Sequence, residues 1–249
     1  MEFSLDPVTV DVLLGDDDVR ELAAVCAEWA GHRGLRLHLS DDLTGWADHM
    51  RAAGAHDGLN PTFDPDCHPI AVGEGMHLLV RDESREVVAC TAARLFRTRD
   101  FAALIPSLAL WFDPLPDGMR GPLEAALPAT VPLLSGRVGH MGGLWVDPRF
   151  RGSGLSMMLA RLTRGVTLDR FDANWDTWIS FGKIARNPAL RAAYGAADTT
   201  LCVDGFFPPR NRHEQVYLNY ATREQVLDAV REGAATLRDS LLHNTALRP

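Results

Sequence analysis

Apolar and polar residues alternate at Val8, Val10, Val12 and Leu14, a pattern that predicts a first strand. The spacing then lengthens. Asp16, Asp17 and Asp18 supply an acidic helix start, and Val19, Leu22, Ala23, Cys26 and Trp29 follow at helical intervals. Leu35, Leu37 and Leu39 alternate briefly. Ser40 then reads as the N-cap of a short helix with Leu43, Trp46, Ala47 and Met50 on one face. After a Gly-, Pro-, Asp- and His-rich loop over 54–75, Met76 to Val80 and Val87 to Phe96 flank the polar turn Arg81 to Arg85, predicting a hairpin.

Residues 100–136 break this rhythm. They carry Pro106, Pro114, Pro116, Pro122, Pro128 and Pro132 beside Leu108, Leu110, Trp111 and Phe112. So apolar a stretch is no free linker, and so broken a one is no long helix; it reads as an ordered insertion of short helices. A Gly-containing strand follows over 137–146, then a helix from about Gly154 to Leu168 with Leu155, Met158, Leu159 and Leu162 on one face. Trp175 to Phe181 predicts a strand, Pro188 to Tyr194 a short helix, and Thr200–Val203 and Gln215–Tyr220 two more strands. The last helix opens on the capping box Thr222-Arg223-Glu224-Gln225, with a stripe from Val226 to Leu241. Interleaved strands and helices with hairpins at both ends predict an α/β chain with a mixed sheet. It divides into an N-terminal segment (1–75) packing on the core, a core (76–221) holding the insertion, and a C-terminal helix (222–249).

Composition narrows the function. The chain has 249 residues, 46% apolar and 23% charged, values of a globular protein. Its formal charge is −8, and Lys183 is the only lysine among 25 basic residues. An acidic chain is a poor match for nucleic-acid phosphates. No apolar run is long enough for a membrane span, and Met1-Glu2-Phe3-Ser4-Leu5-Asp6 has no signal-peptide character. Cys26, Cys67, Cys90 and Cys202 form no CxxC pair, which fits a reducing cytoplasm.

Leu144-Trp145-Val146-Asp147-Pro148-Arg149-Phe150-Arg151-Gly152-Ser153-Gly154-Leu155-Ser156 carries the clearest chemistry. A strand enters a tight Gly-containing turn that opens a helix. Such a turn gathers backbone N–H groups in front of the positive end of a helix dipole, the geometry that holds phosphates. Walker and GxGxxG patterns are absent. Taken alone, the turn could equally be a β–α connection that binds nothing.

Arg151-x-x-Gly154-x-Ser156 after a strand ending in Val-x-Pro resembles the GCN5-related N-acetyltransferase superfamily, with Ser in place of the final Gly or Ala. A second match lies in Asn187 and Tyr194, spaced as in that family's later helix. The resemblance, over about 76–220, implies a splayed mixed sheet with acetyl-CoA between two parallel strands. It implies that Arg151, Gly152, Ser153, Gly154, Leu155 and Ser156 hold the pyrophosphate. The backbone of Leu144, Trp145 and Val146 would pair with the pantetheine arm, and Asn187 would touch it. Tyr194 would protonate the leaving thiolate. The Gly-Phe pair often found after that Tyr is replaced by Gly195-Ala196.

On this basis the chain is expected to be an acetyl-CoA-dependent N-acetyltransferase, without a metal, acting on the amine of a small molecule by direct attack; a homodimer is left open. Two other readings stay open: a non-catalytic CoA- or protein-binding module on the same fold, and transfer of a longer acyl chain. His140, on the strand before the turn, resembles the strand histidines of the arylalkylamine branch and is a candidate general base, or else a core histidine. Asp176 and Glu74 are weaker candidates. Asp64, Asp66, Cys67 and His68, with His56 and Asp57, match no metal-ligand spacing and read as a solvated loop. Ser84, Ser107 and Ser135 sit in no nucleophile elbow. Trp111, Phe112, Phe206 and Phe207 are candidates for an acceptor pocket, and the insertion is expected to set the acceptor.

Overall fold

The structure is a computed structural model that describes residues 2–54, 59–119, 121–125 and 127–243. In chain order its elements are β1 (Glu2–Ser4), α1 (Pro7–Leu13), α2 (Asp17–Gly31), β2 (Arg36–Ser40), α3 (Leu43–Ala52), β3 (Gly75–Arg81), β4 (Val87–Thr98), β5 (Gly136–Val146), α4 (Leu155–Arg170), β6 (Trp175–Phe181), α5 (Gly182–Ala185), α6 (Pro188–Ala193), β7 (Asp198–Phe207), β8 (Arg212–Thr222) and α7 (Arg223–His243). The strands form one sheet in the order β1-β2-β3-β4-β5-β6-β8-β7. Every neighbouring pair is antiparallel except β5 and β6.

The expected strand at Val8–Leu14 is instead helix α1. Asp6 caps it by accepting from the Thr9 N–H, and Pro7 occupies its first turn. Val10 and Leu14 are buried, one helical turn apart, while Val8 and Val12 are 75% and 79% exposed. The alternation of apolar types is therefore not an alternation of buried faces. The N-cap of α3 is Asp42, which accepts from the Gly45 N–H; Ser40 Oγ accepts from the Asp42 N–H just before it. The hairpin β3–β4, strands β5 and β6, and the reciprocal capping box of α7 follow the sequence pattern: Thr222 N–H donates to Gln225 Oε1 and Gln225 N–H to Thr222 Oγ1. Residues 244–249 lie outside the described residues.

One face of the sheet carries α4, which is buried along almost its whole length and packs against β4, β5, α2 and α7. The other face carries the insertion. Its only helical piece among the described residues is a 3-10 turn at Ala102–Leu104; turns and extended chain make up the rest, since the prolines remove N–H donors and interrupt longer helices. Phe101, Ile105, Leu108, Leu110, Trp111 and Leu134 nevertheless form a compact cluster with Val138 and with residues of β7 and β8. The insertion joins β4 to β5, and its neck is closed by the Phe101 N–H donating to the Leu134 carbonyl at 2.8 Å. Its far part is tied down through the Asp113 N–H to the Cys67 carbonyl (3.0 Å) and His68 Nε2 against the Ala109 carbonyl (3.0 Å).

A bulge interrupts β5. Ala92 faces Gly142 and Cys90 faces Trp145, so Gly143 and Leu144 lie opposite the single residue Thr91. Gly143 adopts φ +59°, and a Cβ there would fall 2.3 Å from the buried Trp46 ring. Replacing Gly143 by Ala adds left-handed strain and overpacking, so Gly143→Ala is expected to destabilise the fold by roughly 2–4 kcal/mol. Urea melts check this: the midpoint falls while the slope is unchanged.

Candidate active site

The parallel pair β5–β6 is short. Registered from Val138 with Trp175 to Met141 with Trp178, it ends there. Beyond that point β5 keeps β4 on one side only, and β6 continues against β8 from Ile179 to Phe181. The backbone of residues 142–146 thus has no strand on its β6 side and is half-buried. A cleft of about 510 Å3 opens in this gap. It crosses the sheet. On β6, Trp178 packs with Ala160 and Tyr194 on the α4 side, whereas Ile179 and Phe181 face the insertion cluster.

Local chemistry builds the turn after β5. The Asp147 N–H donates to the Val88 carbonyl, and its carboxylate accepts from the Arg149 N–H and guanidinium. Pro148–Phe150 then make one 3-10 turn, and Ser153 Oγ donates to the Phe150 carbonyl at 2.6 Å. Gly152 and Gly154 adopt φ +76° and +94°, which glycine reaches without steric cost. Whereas α2, α3 and α6 are capped by Asp16, Asp42 and Asn187, no side chain caps α4. Its leading N–H groups and the positive end of its dipole therefore meet the cleft directly.

Of the residues expected to hold a cofactor, Leu144, Trp145, Val146, Arg151, Gly152, Gly154, Leu155 and Ser156 all line the cleft. Ser153 and Asn187 do not. Ser153 serves the turn, and Asn187 Oδ1 caps α6 by accepting from the Ala189 and Leu190 N–H groups at 3.0 and 3.2 Å. Tyr194, at the C-cap of α6, lines the cleft with its ring edge-on to Trp178 at 6.1 Å. Its hydroxyl makes no hydrogen bond to a described residue.

His140 also borders the cleft, but it is 1% exposed. Thr177 Oγ1 donates to the Gly139 carbonyl, so it must accept from His140 Nδ1, which therefore carries the ring proton. Phe63, Phe96 and Phe101 surround the ring. Burial, with the Arg94 guanidinium opposite in register, pushes the imidazole down to about 3. So weakly basic a ring favours its neutral form near pH 7. Asp176 is buried against Arg164, and Glu74 pairs with Arg97; neither lines the cleft.

Trp111 and Phe207 line the insertion side of the cleft; Phe112 and Phe206 do not. Sequence reasoning missed Met50, Asn60, Phe181, Ile184 and Arg210. Phe181 could have been found from its alternate position on β6. Met50 and Asn60 arrive from α3 and the following loop, with no local signal. Arg210 lies over the Phe181 ring at 4.0 Å and pairs with Glu214 at 2.9 Å. In the expected solvated loop, Asp64 and Asp66 pair with Arg51, and no group of His, Cys, Asp and Glu among the described residues could hold a metal; His56 and Asp57 lie outside the described residues.

No family model matches the chain, and no curated protein matches it. Among solved structures it is similar to the spermidine/spermine N-acetyltransferase SpeG from Vibrio cholerae (12% identity, 78% of this chain and 98% of that one, TM-score 0.44). It is similar to a ribosomal-protein-S5-alanine acetyltransferase from Vibrio fischeri (11%, 77% and 94%, 0.43). It is also similar to Arabidopsis thaliana NAA60 in complex with acetyl-CoA (14%, 76% and 99%, 0.42). At identities of 11–14% and TM-scores below 0.5 these likenesses assign no activity to the chain.

The buried histidines set a pH dependence. Desolvation lowers His77 to about 4 and His140 to about 3, both below the ordinary 6.5. Below pH 6.5 the unfolded chain binds protons that the folded chain refuses, so stability falls with pH from 6.5 through 4 toward 3. The melting temperature should follow, and a His77→Gln/His140→Gln variant should lose stability less steeply over that window.

Proposed function

We propose that this protein is an acyl-CoA-dependent N-acyltransferase that moves an acetyl group from acetyl-CoA to the amine of a small molecule by direct attack. The observation that carries the reading is the gap between β5 and β6, with the uncapped N-terminus of α4 at one end and the Tyr194 side chain in it. The N–H groups of Gly152, Gly154, Leu155 and Ser156 suit pyrophosphate oxygens. The free edge of residues 142–146 suits the amides of a pantetheine arm, which would add to β5 as a short strand.

The bound thioester supplies the acyl group, and the chain positions it and manages protons. The amine nitrogen bonds to the thioester carbon and the carbon–sulfur bond breaks. Sulfur leaves with the electron pair and takes the proton of the Tyr194 hydroxyl. A phenol keeps its proton at neutral pH, so the donor is ready when the thiolate forms. The amine loses its proton to water, and water returns one to the tyrosine, so the products are an amide and a free thiol. His140, neutral and bonded to Thr177, acts as a wall rather than a base.

A cleft of about 510 Å3 lies in the range of small-molecule sites, ~300–1,000 Å3. On the insertion side Trp111 meets Phe207 edge-on at 4.9 Å, and Phe207 meets Phe181 at 5.9 Å. These rings suit an apolar part of the acceptor.

A Cβ at Gly152 meets nothing within 4 Å, so Gly152→Val should fold at a cost of about 1–2 kcal/mol from its positive φ. It should still weaken acetyl-CoA binding about tenfold or more by calorimetry, as a side chain enters the phosphate turn. Unchanged affinity in the folded variant would falsify the phosphate assignment. Tyr194→Phe should lower kcat by ~10²–10⁴-fold with acetyl-CoA affinity intact; wild-type turnover would leave the ring a packing role alone. Trp111→Ala should raise KM for the acceptor and leave KM for acetyl-CoA unchanged, whereas a weakened acetyl-CoA KM would place the insertion over the cofactor.

A further inference from the structure

We infer that Arg161 and Arg164 are positioning residues that fix Tyr194 relative to the phosphate turn, using α4 as a rigid spacer. The inference rests on the reading of Tyr194 as proton donor. Short helix α6 ends at Ala193, and its last carbonyls need donors from outside the helix. Four consecutive carbonyls there are held by two guanidinium groups. Arg161 donates from Nη2 to Ala192 and from Nε to Ala193, each at 2.8 Å. Arg164 donates from Nη1 to Tyr194 at 2.7 Å and to Gly195 at 2.5 Å. Tyr194 thus sits inside a run of carbonyls clamped on both sides.

Each guanidinium is anchored elsewhere as well. Arg161 Nη1 donates to the Ala229 carbonyl of α7 at 2.6 Å, and Arg164 Nε to Asp176 of β6 at 2.7 Å. Both side chains are buried. Gly195 turns at φ +68° directly beneath this arrangement, where a Cβ would lie 2.9 Å from both Arg164 Nη1 and Ala229. Burying two arginines is costly, the more so as Asp176 Oδ1 is buried without a partner beside Arg164, and a six-residue helix could be packed more cheaply with leucines. What planar, multidentate donors add is a fixed direction for each carbonyl.

The two arginines are three residues apart on α4 and share one face. The same helix begins at Leu155 in the cleft. At ~1.5 Å per residue, the arginines lie roughly 9 and 14 Å along the axis from that start. One continuous helix therefore sets the separation between the proposed anion-binding end and the tyrosine. The charged groups around the clamp are Arg161, Arg164, Asp176 and Glu232; Glu232 pairs with Arg161 from α7 at 3.4 Å.

A double-mutant cycle tests the proposal. Arg161 is the better target, because removing Arg164 would strand the buried Asp176. Arg161→Met and Arg161→Lys are made in the wild-type and Tyr194→Phe backgrounds, with kcat, acetyl-CoA affinity by calorimetry and melting temperature measured for each. In the wild-type background Arg161→Met should lower kcat about tenfold or more, acetyl-CoA affinity unchanged. Arg161→Lys, which keeps the charge and a single donor atom but not the planar fork, should fall between. In the Tyr194→Phe background the same substitutions should change kcat by less than about twofold, since the group they position is gone. Equal losses in both backgrounds would overturn the proposal, as would full kcat in a folded Arg161→Met protein. If Tyr194→Phe alone keeps wild-type kcat, the proton-donor reading falls and the clamp with it. Loss of acetyl-CoA binding in Arg161→Met would instead show α4 supporting the turn rather than the tyrosine.

Discussion

A single parallel pairing organises this molecule. Antiparallel neighbours can be joined by short turns, but β5 and β6 run the same way and need a crossover. The crossover is α4, and a helix that follows a strand begins at that strand's C-terminal end. The N-terminus of α4 is therefore brought to the place where β5 leaves β6. The opening, the free backbone edge and the helix dipole have one topological origin. The bulge at Gly143 and Leu144 adds to it by bending β5 away just after the last registered pair, Met141 with Trp178.

The two faces of the sheet solve different problems around that opening. On the α4 face, α2 and α7 cover a helix whose buried set includes arginine and threonine as well as leucine and methionine. Polar burial is tolerated there because the guanidinium groups bond to carbonyls and to Asp176. On the opposite face, apolar side chains of the insertion close over β5 to β8, and Phe101 of the insertion joins Phe96 of β4 and Phe63 in fencing His140. Dry surroundings on that side keep the imidazole neutral.

Much of this could be read from the chain. Hairpin β3–β4, strands β5 and β6, the glycine turn and the α7 capping box depend on local signals: alternation, turn residues and caps. What local signals leave out has a common cause as well. Val8 to Leu14 looks like a strand because residue type alternates, yet only Val10 and Leu14 meet the core. The capping of α6 by Asn187 shows only once the helix start is in place. The phenylalanines and the Arg94 guanidinium that lower the His140 imidazole come from other elements. Arg161 and Arg164 lie outside the Leu155–Leu162 stripe, and only the fold reveals that their face is covered too. Local order is written in neighbouring residues, whereas the environment of a titratable group is written across the whole chain.

The neck of the insertion has an evolutionary consequence. Phe101 and Leu134 are joined by one backbone hydrogen bond, so the chain leaves the sheet and returns to it at almost the same point. The entropy of closing such a loop grows only with the logarithm of its length. Lengthening, shortening or exchanging what lies beyond the neck leaves the register of β4 with β5 untouched, and with it the glycine turn. A lineage can thus vary one wall of the cleft as a cassette while the opposite wall stays constant, and a designer can graft there on the same terms.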